Sequence, residues 1–266
     1  MDLAAYFRRI GYDGPSAPTL ETLQAIHALH PVAIPFENLD PLSRRPVLLD
    51  LDSIAAKLVH ARRGGYCFEQ NLLLRAVLQR LGFRVTALNA RVRWGQPAEA
   101  PETARSHMLL RVDLDDRPYL VDVGFGGYLL PAPLRMEPGL EQPNAHGVVR
   151  LVGEDGSLIL QAALAAGWQD LYRFTQEPAL DVDYEAANWF TSTHPRSLFL
   201  KNLLAQRLTP EGRLTLFNKR LTRRAAAGTH EESTLESSGE LGDVLERLFG
   251  LEPPVPAEAI WARLPS

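Results

Sequence analysis

The chain has one cysteine, Cys67, within the stretch RRGGYCFEQN (62–71). Behind it Leu72, Leu73, Val77, Leu78 and Leu81 fall on one stripe, which predicts a helix over 69–81 stopped by Gly82. Cys67 then stands where a helix begins. Free N–H groups and the positive end of the helix dipole favour thiolate over thiol there. Arg62 and Arg63 are expected to add to that field, and Gly64 and Gly65 let the chain turn tightly into the helix. The same N–H groups suit the oxyanion formed when an acyl carbon is attacked. These are the parts of an activated nucleophile. A lone cysteine is also at home as a small buried hydrophobe. A metal site is disfavoured, because no second cysteine and no close histidine cluster supplies ligands.

A nucleophilic thiol needs a base, and the base needs a group that orients it. Of seven histidines, His27, His30 and His60 fall in the helical third and are expected at the surface or partly packed. His146, His194 and His230 fall in loop-like or polar stretches. His107 differs, because it opens SHMLLRV, a strand whose other face carries Met108, Leu110 and Val112. The following strand, YLVDV, places Asp122 among apolar residues, where a carboxylate is costly unless paired. If the DDRP turn joins the two strands through a two-residue loop, paired positions have an odd sum. His107 and Asp122 then share a face as opposite or diagonal neighbours. A three-residue loop without a bulge would put them on opposite faces. The expected pair completes a Cys67–His107–Asp122 triad, or else is a structural buried hydrogen bond.

The elements that must hold these residues change character along the chain. Residues 1–82 read as helical, with an amphipathic run Leu3–Ile10, a helix over 22–30 capped by Thr19, and a helix to Ala61 capped by Asp52 or Ser53. Residues 83–190 are largely strand-like: FRVTALNARVRW alternates, HMLLRV and YLVDVGF flank DDRP, and GVVRLV with SLILQAAL flanks EDG. A small barrel or curled sheet is expected. Residues 191–266 are mixed, after a helix over 184–193: two strands in SLFLKNLLAQRL and RLTLFNKRL, then a helix in GELGDVLERLF. The glycines of VGFGG (123–127) suit a bend at a barrel corner or close approach of a ligand to the backbone.

Composition limits the rest. The 266 residues are 45% apolar and 23% charged with net charge −4, an ordinary globular balance without the basic excess of nucleic-acid proteins. A single cysteine cannot form an internal disulfide, no apolar run is long enough to span a membrane, and MDLAAYFRRIG lacks a secretory apolar core. Together these predict a soluble cytoplasmic protein that engages neither nucleic acid nor membrane.

RGGYCFEQN, IPFENLD (34–40), RSHMLL, DVGFGG (122–127) and FTSTHPRSLFLKNLLAQR (190–207), in this order, resemble the arylamine N-acetyltransferases. The resemblance implies an α+β fold of three parts: an N-terminal helical bundle, a central β-barrel and a C-terminal α/β lid, with a Cys-His-Asp triad as in cysteine-protease-like folds. It implies Cys67, His107 and Asp122 as that triad, and ping-pong transfer from acetyl-CoA to an arylamine, arylhydrazine or arylhydroxylamine. Phe36, Phe125 and Phe199 match acceptor-binding positions, Gly126 and Gly127 are expected to face CoA, and Glu37 with Arg63 is expected to brace the cysteine loop. No metal is implied. An amide synthase or another acyltransferase with a different acyl donor would carry the same motifs.

Overall fold

The computed structural model describes residues 1–97, 99–225 and 228–265. In the N-terminal third, local capping chemistry sets most helix boundaries. Asp2 accepts hydrogen bonds from the Ala4 and Ala5 amides and starts α1 (Leu3–Ile10), which Gly11 ends in the left-handed region. Thr19 caps α2 (Leu20–Ala33). A short strand β1 (Phe36–Glu37) and α3 (Leu39–Leu42) follow. α4 (Leu51–Ala55) is capped by Asp50, earlier than Asp52 or Ser53, because the Asp50 carboxylate reaches the Ser53 amide. It continues as a wider π turn over Ala56–His60. α5 (Cys67–Arg80) starts on the cysteine itself, and Gly82 follows it with φ 89°. Its burial exceeds the single stripe expected: every residue from Cys67 to Leu74 is buried, including Glu69, Gln70 and Asn71.

β2 (Arg84–Val92), β3 (His107–Leu114), β4 (Arg117–Val121), β5 (Leu134–Arg135), β6 (Glu141–Asn144), β7 (Gly147–Glu154), β8 (Ser157–Leu164) and β9 (Gly167–Phe174) form one antiparallel sheet in the order β5-β4-β3-β2-β9-β8-β7-β6. The sheet curls into a nearly closed barrel. Its edge strands are bridged by the Gln142 side chain, which accepts from the Arg135 amide at 2.8 Å and donates to the Arg135 carbonyl at 3.0 Å. That bridge satisfies edge groups that would otherwise be open for pairing. Leu88, Leu109, Leu120, Val149, Leu160 and Leu171 fill the barrel core.

α6 (Asp181–Thr193) starts three residues before the expected helix and crosses the expected 190/191 boundary. Leu198–Leu200 is a 3-10 turn where a strand was expected, and the strand begins only at β10 (Leu204–Thr209). β11 (Gly212–Phe217), β12 (Arg220–Ala225) and β13 (His230–Thr234) extend this second sheet, followed by α7 (Ser238–Arg247) and α8 (Ala257–Trp261). The sheet order is β1-β10-β11-β12-β13, so the N-terminal IPFEN segment forms its edge through Phe36 opposite Gln206. Leu39 and Leu42 accordingly pack with Leu203, Leu216, Leu241 and Phe249.

The β3–β4 connection is the two-residue loop Asp115–Asp116, with φ 50° and 57°. Leu114 pairs with Arg117 and Leu110 with Val121, the odd-sum register that puts positions 107 and 122 on one face. Two non-glycine residues in the left-handed region are strained, and Asn-Gly suits this turn better. The D115N/D116G variant is expected to be more stable by about 0.5–1 kcal/mol, read as a rise of ~2 °C in Tm.

Candidate active site

Asp122 lies just past the end of β4 and is fully buried. Its Oδ2 accepts from His107 Nε2 at 2.7 Å, and its Oδ1 accepts from Asn71 Nδ2 at 3.0 Å and from the Gly124 amide at 2.9 Å. Three donors replace the water the carboxylate loses, which is what makes its burial tolerable. Although desolvation acts against the charge, His107, Asn71 and Gly124 hold its pKa below the usual carboxylate value. Burial likewise opposes a charge on His107, but Asp122 and then Cys67 outweigh it and raise the imidazole to about 10. At neutral pH this is an imidazolium–carboxylate pair.

Cys67 is the first residue of α5 and only 5% exposed. Its sulfur lies 3.8 Å from the Ser106 carbonyl, one residue before His107. The two glycines ahead of it are required by close approach. A Cβ on Gly64 would stand 2.3 Å from the Pro35 carbonyl oxygen, and one on Gly65 would stand 2.8 Å from the Glu69 carboxylate. Glu69 folds back over this space to accept from the Tyr66 amide at 3.1 Å, fixing the start of the helix. Arg63 does bond Glu37 at 3.0 Å, and also Asp40 at 3.0 Å, so its guanidinium is committed to carboxylates. Arg62 is exposed. Arg63 thus braces the turn through Glu37 as expected, its charge taken up by the two carboxylates, and the field at the sulfur comes from the helix start and His107.

The three predicted phenylalanines gather around this centre. Phe125 packs edge-on against His107 with ring centroids 5.0 Å apart. Phe36 meets Phe199 at 6.1 Å, and Phe199 meets Tyr66 at 5.6 Å. Gly126 and Gly127 have their missing side chains replaced by these and neighbouring rings: a Cβ on Gly126 would lie 2.4 Å from the Phe36 ring, and one on Gly127 3.0 Å from Phe125 and Trp94.

Several residues here were not picked out from sequence. Asn71 donates to Asp122 and to the Met108 carbonyl and accepts from the Val123 amide, so one side chain ties α5 to β3 and to the loop after β4. The ring of Tyr172 packs 4.9 Å from His107. His27 and His30, expected near the surface, are fully buried. His27 Nε2 accepts from the Asp122 amide at 3.3 Å, while His30 bonds Tyr6 and Gln70. Burial lowers their pKa values to about 4 and about 3. Only Asn71 carried a usable signal, lying one helical turn after Cys67 on the same face.

Gly124 has the tightest constraint: a Cβ there would lie 2.7 Å from the Cys67 Cα and 2.9 Å from Asn71 Nδ2. Gly124→Ala is expected to cost about 2 kcal/mol in denaturant unfolding and to slow iodoacetamide labelling of Cys67 by displacing it. The histidines give stability two flanks. His27 and His30 bind protons more weakly when folded, so their contribution is complete above about 6.5 and is lost as pH falls toward 4 and 3. His107 binds its proton more tightly when folded, so its contribution is complete below about 6.5 and is lost as pH rises toward 10. Unfolding free energy measured against pH should fall on the alkaline flank in the wild type and stay flatter there in His107→Gln.

Known proteins identify the family of this chain. The N-acetyltransferase family model matches residues 19–256. The arylamine N-acetyltransferase of Mycobacterium tuberculosis is 43% identical over 254 residues, covering 94% of this chain and 89% of that protein. The arylamine N-acetyltransferase / N-hydroxyarylamine O-acetyltransferase of Salmonella typhimurium is 40% identical, covering 94% and 88%. The solved structure of the Mycobacterium marinum arylamine N-acetyltransferase in complex with CoA superposes with a TM-score of 0.94 at 40% identity, covering 98% of both chains. With a nearly closed barrel, flanking helices and this degree of identity over almost its whole length, the chain belongs to the arylamine N-acetyltransferase family.

Proposed function

We propose that the protein transfers an acetyl group from acetyl-CoA to an arylamine, arylhydrazine or arylhydroxylamine through an acetyl thioester on Cys67. The observation that carries this reading is the buried His107–Asp122 ion pair beside a cysteine at the first position of a helix. The names of its relatives, and the CoA bound by one of them, support donor and acceptor class. A cytoplasmic location fits the single free cysteine.

Each half-reaction moves one proton through one imidazole. Asp122 occupies His107 Nε2, leaving Nδ1 for the thiol. In this mechanism the attacking form is the Cys67 thiolate beside the His107 imidazolium. The thiolate attacks the acetyl carbon of acetyl-CoA, and the first-turn N–H groups of α5 face the oxyanion. The C–S bond to CoA then breaks, and His107 protonates the departing thiolate. His107 is now neutral. An aryl nitrogen, uncharged at neutral pH, attacks the acetyl-Cys67 carbon as His107 takes its proton, and the Cys67 thiolate leaves. Thioester-for-thioester exchange is nearly isoenergetic, so the site supplies a thiolate and a placed proton carrier.

Phe36, Phe125 and Phe199 receive the aryl group through apolar and edge-to-face contacts. The Gly126–Gly127 turn is assigned to the CoA side, its backbone next to Phe36 and Phe125. In this scheme residues 1–82 carry the nucleophile, 83–190 the His107–Asp122 pair, and 191–266 cover the cleft.

Intact-protein mass after brief mixing with acetyl-CoA is expected to show one acetyl group on Cys67, discharged by aniline as acetanilide. No adduct and no CoA release from folded protein would overturn the assignment of acetyl-CoA as donor. Cys67→Ser and His107→Gln are expected to fold and lose transfer by at least about 10³-fold. Full activity of Asp122→Ala would sink the triad.

A further inference from the structure

A second ionic centre lies on the other side of the cysteine. Lys57, on the π turn, is 14% exposed by its side chain. Its ammonium lies 2.7 Å from Glu69 Oε1, 2.7 Å from Asp40 Oδ2 and 3.9 Å from Glu37 Oε1. Arg63 bonds Glu37 and Asp40 from the opposite side, and the half-exposed Arg45 reaches Asp40 at 3.3 Å. Glu69 alone among these acids has Lys57 as its one cationic partner. Glu69 is also the acid built into the first turn of α5, two residues after Cys67, with its other oxygen on the Tyr66 amide.

That placement is unfavourable by itself. A carboxylate in the same helical turn as a thiolate raises the energy of the thiolate by like-charge repulsion. It is retained because it caps the helix that presents the cysteine. An ammonium at hydrogen-bond distance removes the conflict, keeping the cap while cancelling its charge. We propose that Lys57 is a positioning residue for the acetyl-transfer site: it holds Glu69 on the Tyr66 amide and neutralises it, so that the Cys67 thiolate is not opposed by its own helix cap. This rests on the reading of Cys67 as the nucleophile.

Around Glu69 and Lys57 stand Glu37, Asp40, Arg63 and Arg45. Around Cys67 stand His107 and the phenols of Tyr66 and Tyr184. Burial pushes the Glu69 carboxyl above its ordinary value and Lys57 pulls it back. Burial opposes the Lys57 charge, but Glu69, then Glu37 and Asp40, hold its pKa above that of a free lysine.

The test is the rate of Cys67 alkylation by iodoacetamide against pH, with circular dichroism confirming fold. E69Q keeps an oxygen that can accept from the Tyr66 amide but removes the charge, and should move the midpoint of reactivity to lower pH by about one unit. K57M should move it to higher pH and broaden it, because unpaired Glu69 now titrates alongside the thiol. K57M/E69Q should lie between them, near the wild type. A purely structural role would impair both single variants in the same sense. Midpoints that do not move, or that move in the same direction in E69Q and K57M, would overturn the proposal. Should K57M not fold, E69Q decides alone: an acidward shift supports the proposal and any other result overturns it. A wild-type Cys67 that does not titrate and takes no acetyl from acetyl-CoA would instead overturn the nucleophile reading, and this proposal with it.

Discussion

A fully buried carboxylate, Asp122, sets the terms for the centre of the molecule. Removing an ionised group from water is affordable only if fixed donors take the water's place. The donors here come from three separate pieces of chain: His107 at the start of β3, Asn71 one turn into α5, and the Gly124 amide in the loop that follows β4. Satisfying one carboxylate therefore fastens the helical part to the barrel at a single point. The point lies within contact distance of Cys67, since Gly124 has no room for a Cβ against the cysteine backbone. Placement of Cys67 relative to His107 follows from the need to solvate Asp122.

The opposite flank of Cys67 has the same logic with different residues. Three acids, Glu37, Asp40 and Glu69, meet Lys57 and Arg63 behind the RGGYC turn, and Gly64 and Gly65 are glycines because Pro35, Glu37 and Glu69 occupy the space above them. Glu37 lies in β1 and Asp40 in α3, the segment that forms the edge of the second sheet and buries Leu39 and Leu42 in its core. The ionic cluster thus connects the cysteine turn to the C-terminal part, as Asp122 connects it to the barrel. Truncating one partner of either cluster leaves a buried charge unpaired, which costs more than the pair contributes.

Features fixed by neighbours in sequence were the legible ones. Leu3–Ile10, the Thr19 cap and the hairpin through Asp115–Asp116 depend on residues within a few positions, and the odd-sum register followed from loop length alone. His107 and Asp122 could be paired because a hairpin carries local information across to the opposite strand. Polar residues whose burial depends on distant partners were not legible. His27 lies 95 residues from the Asp122 amide it accepts, and His30 lies 40 from Gln70. Lys57 was not singled out, and nothing in the spacing of hydrophobes marked the π turn that carries it. β9 was not singled out for another reason: GWQDLYRF does not keep a clean two-residue alternation, and its pairing with β8 shifts at Leu160/Gln161. The 3-10 turn at Leu198–Leu200 was read as strand because an apolar run of that length does not distinguish the two.

The charge on His107 links the structure to the two halves of the proposed reaction. An imidazole held at one high pKa throughout would suit protonation of departing CoA but not acceptance of a proton from an amine. The Cys67 sulfur supplies the remaining part of the upward shift. In that scheme acetylation converts the attacking thiolate to a neutral thioester, so its share vanishes in the half-cycle where His107 acts as base. Departure of the thiolate restores it when the acid is needed again. The sulfur is then both nucleophile and switch for its own proton carrier, provided no other fixed charge at the start of α5 overrides it. Pairing Glu69 with Lys57 meets that condition, because a neutralised cap leaves the sulfur's charge as the one that changes during turnover.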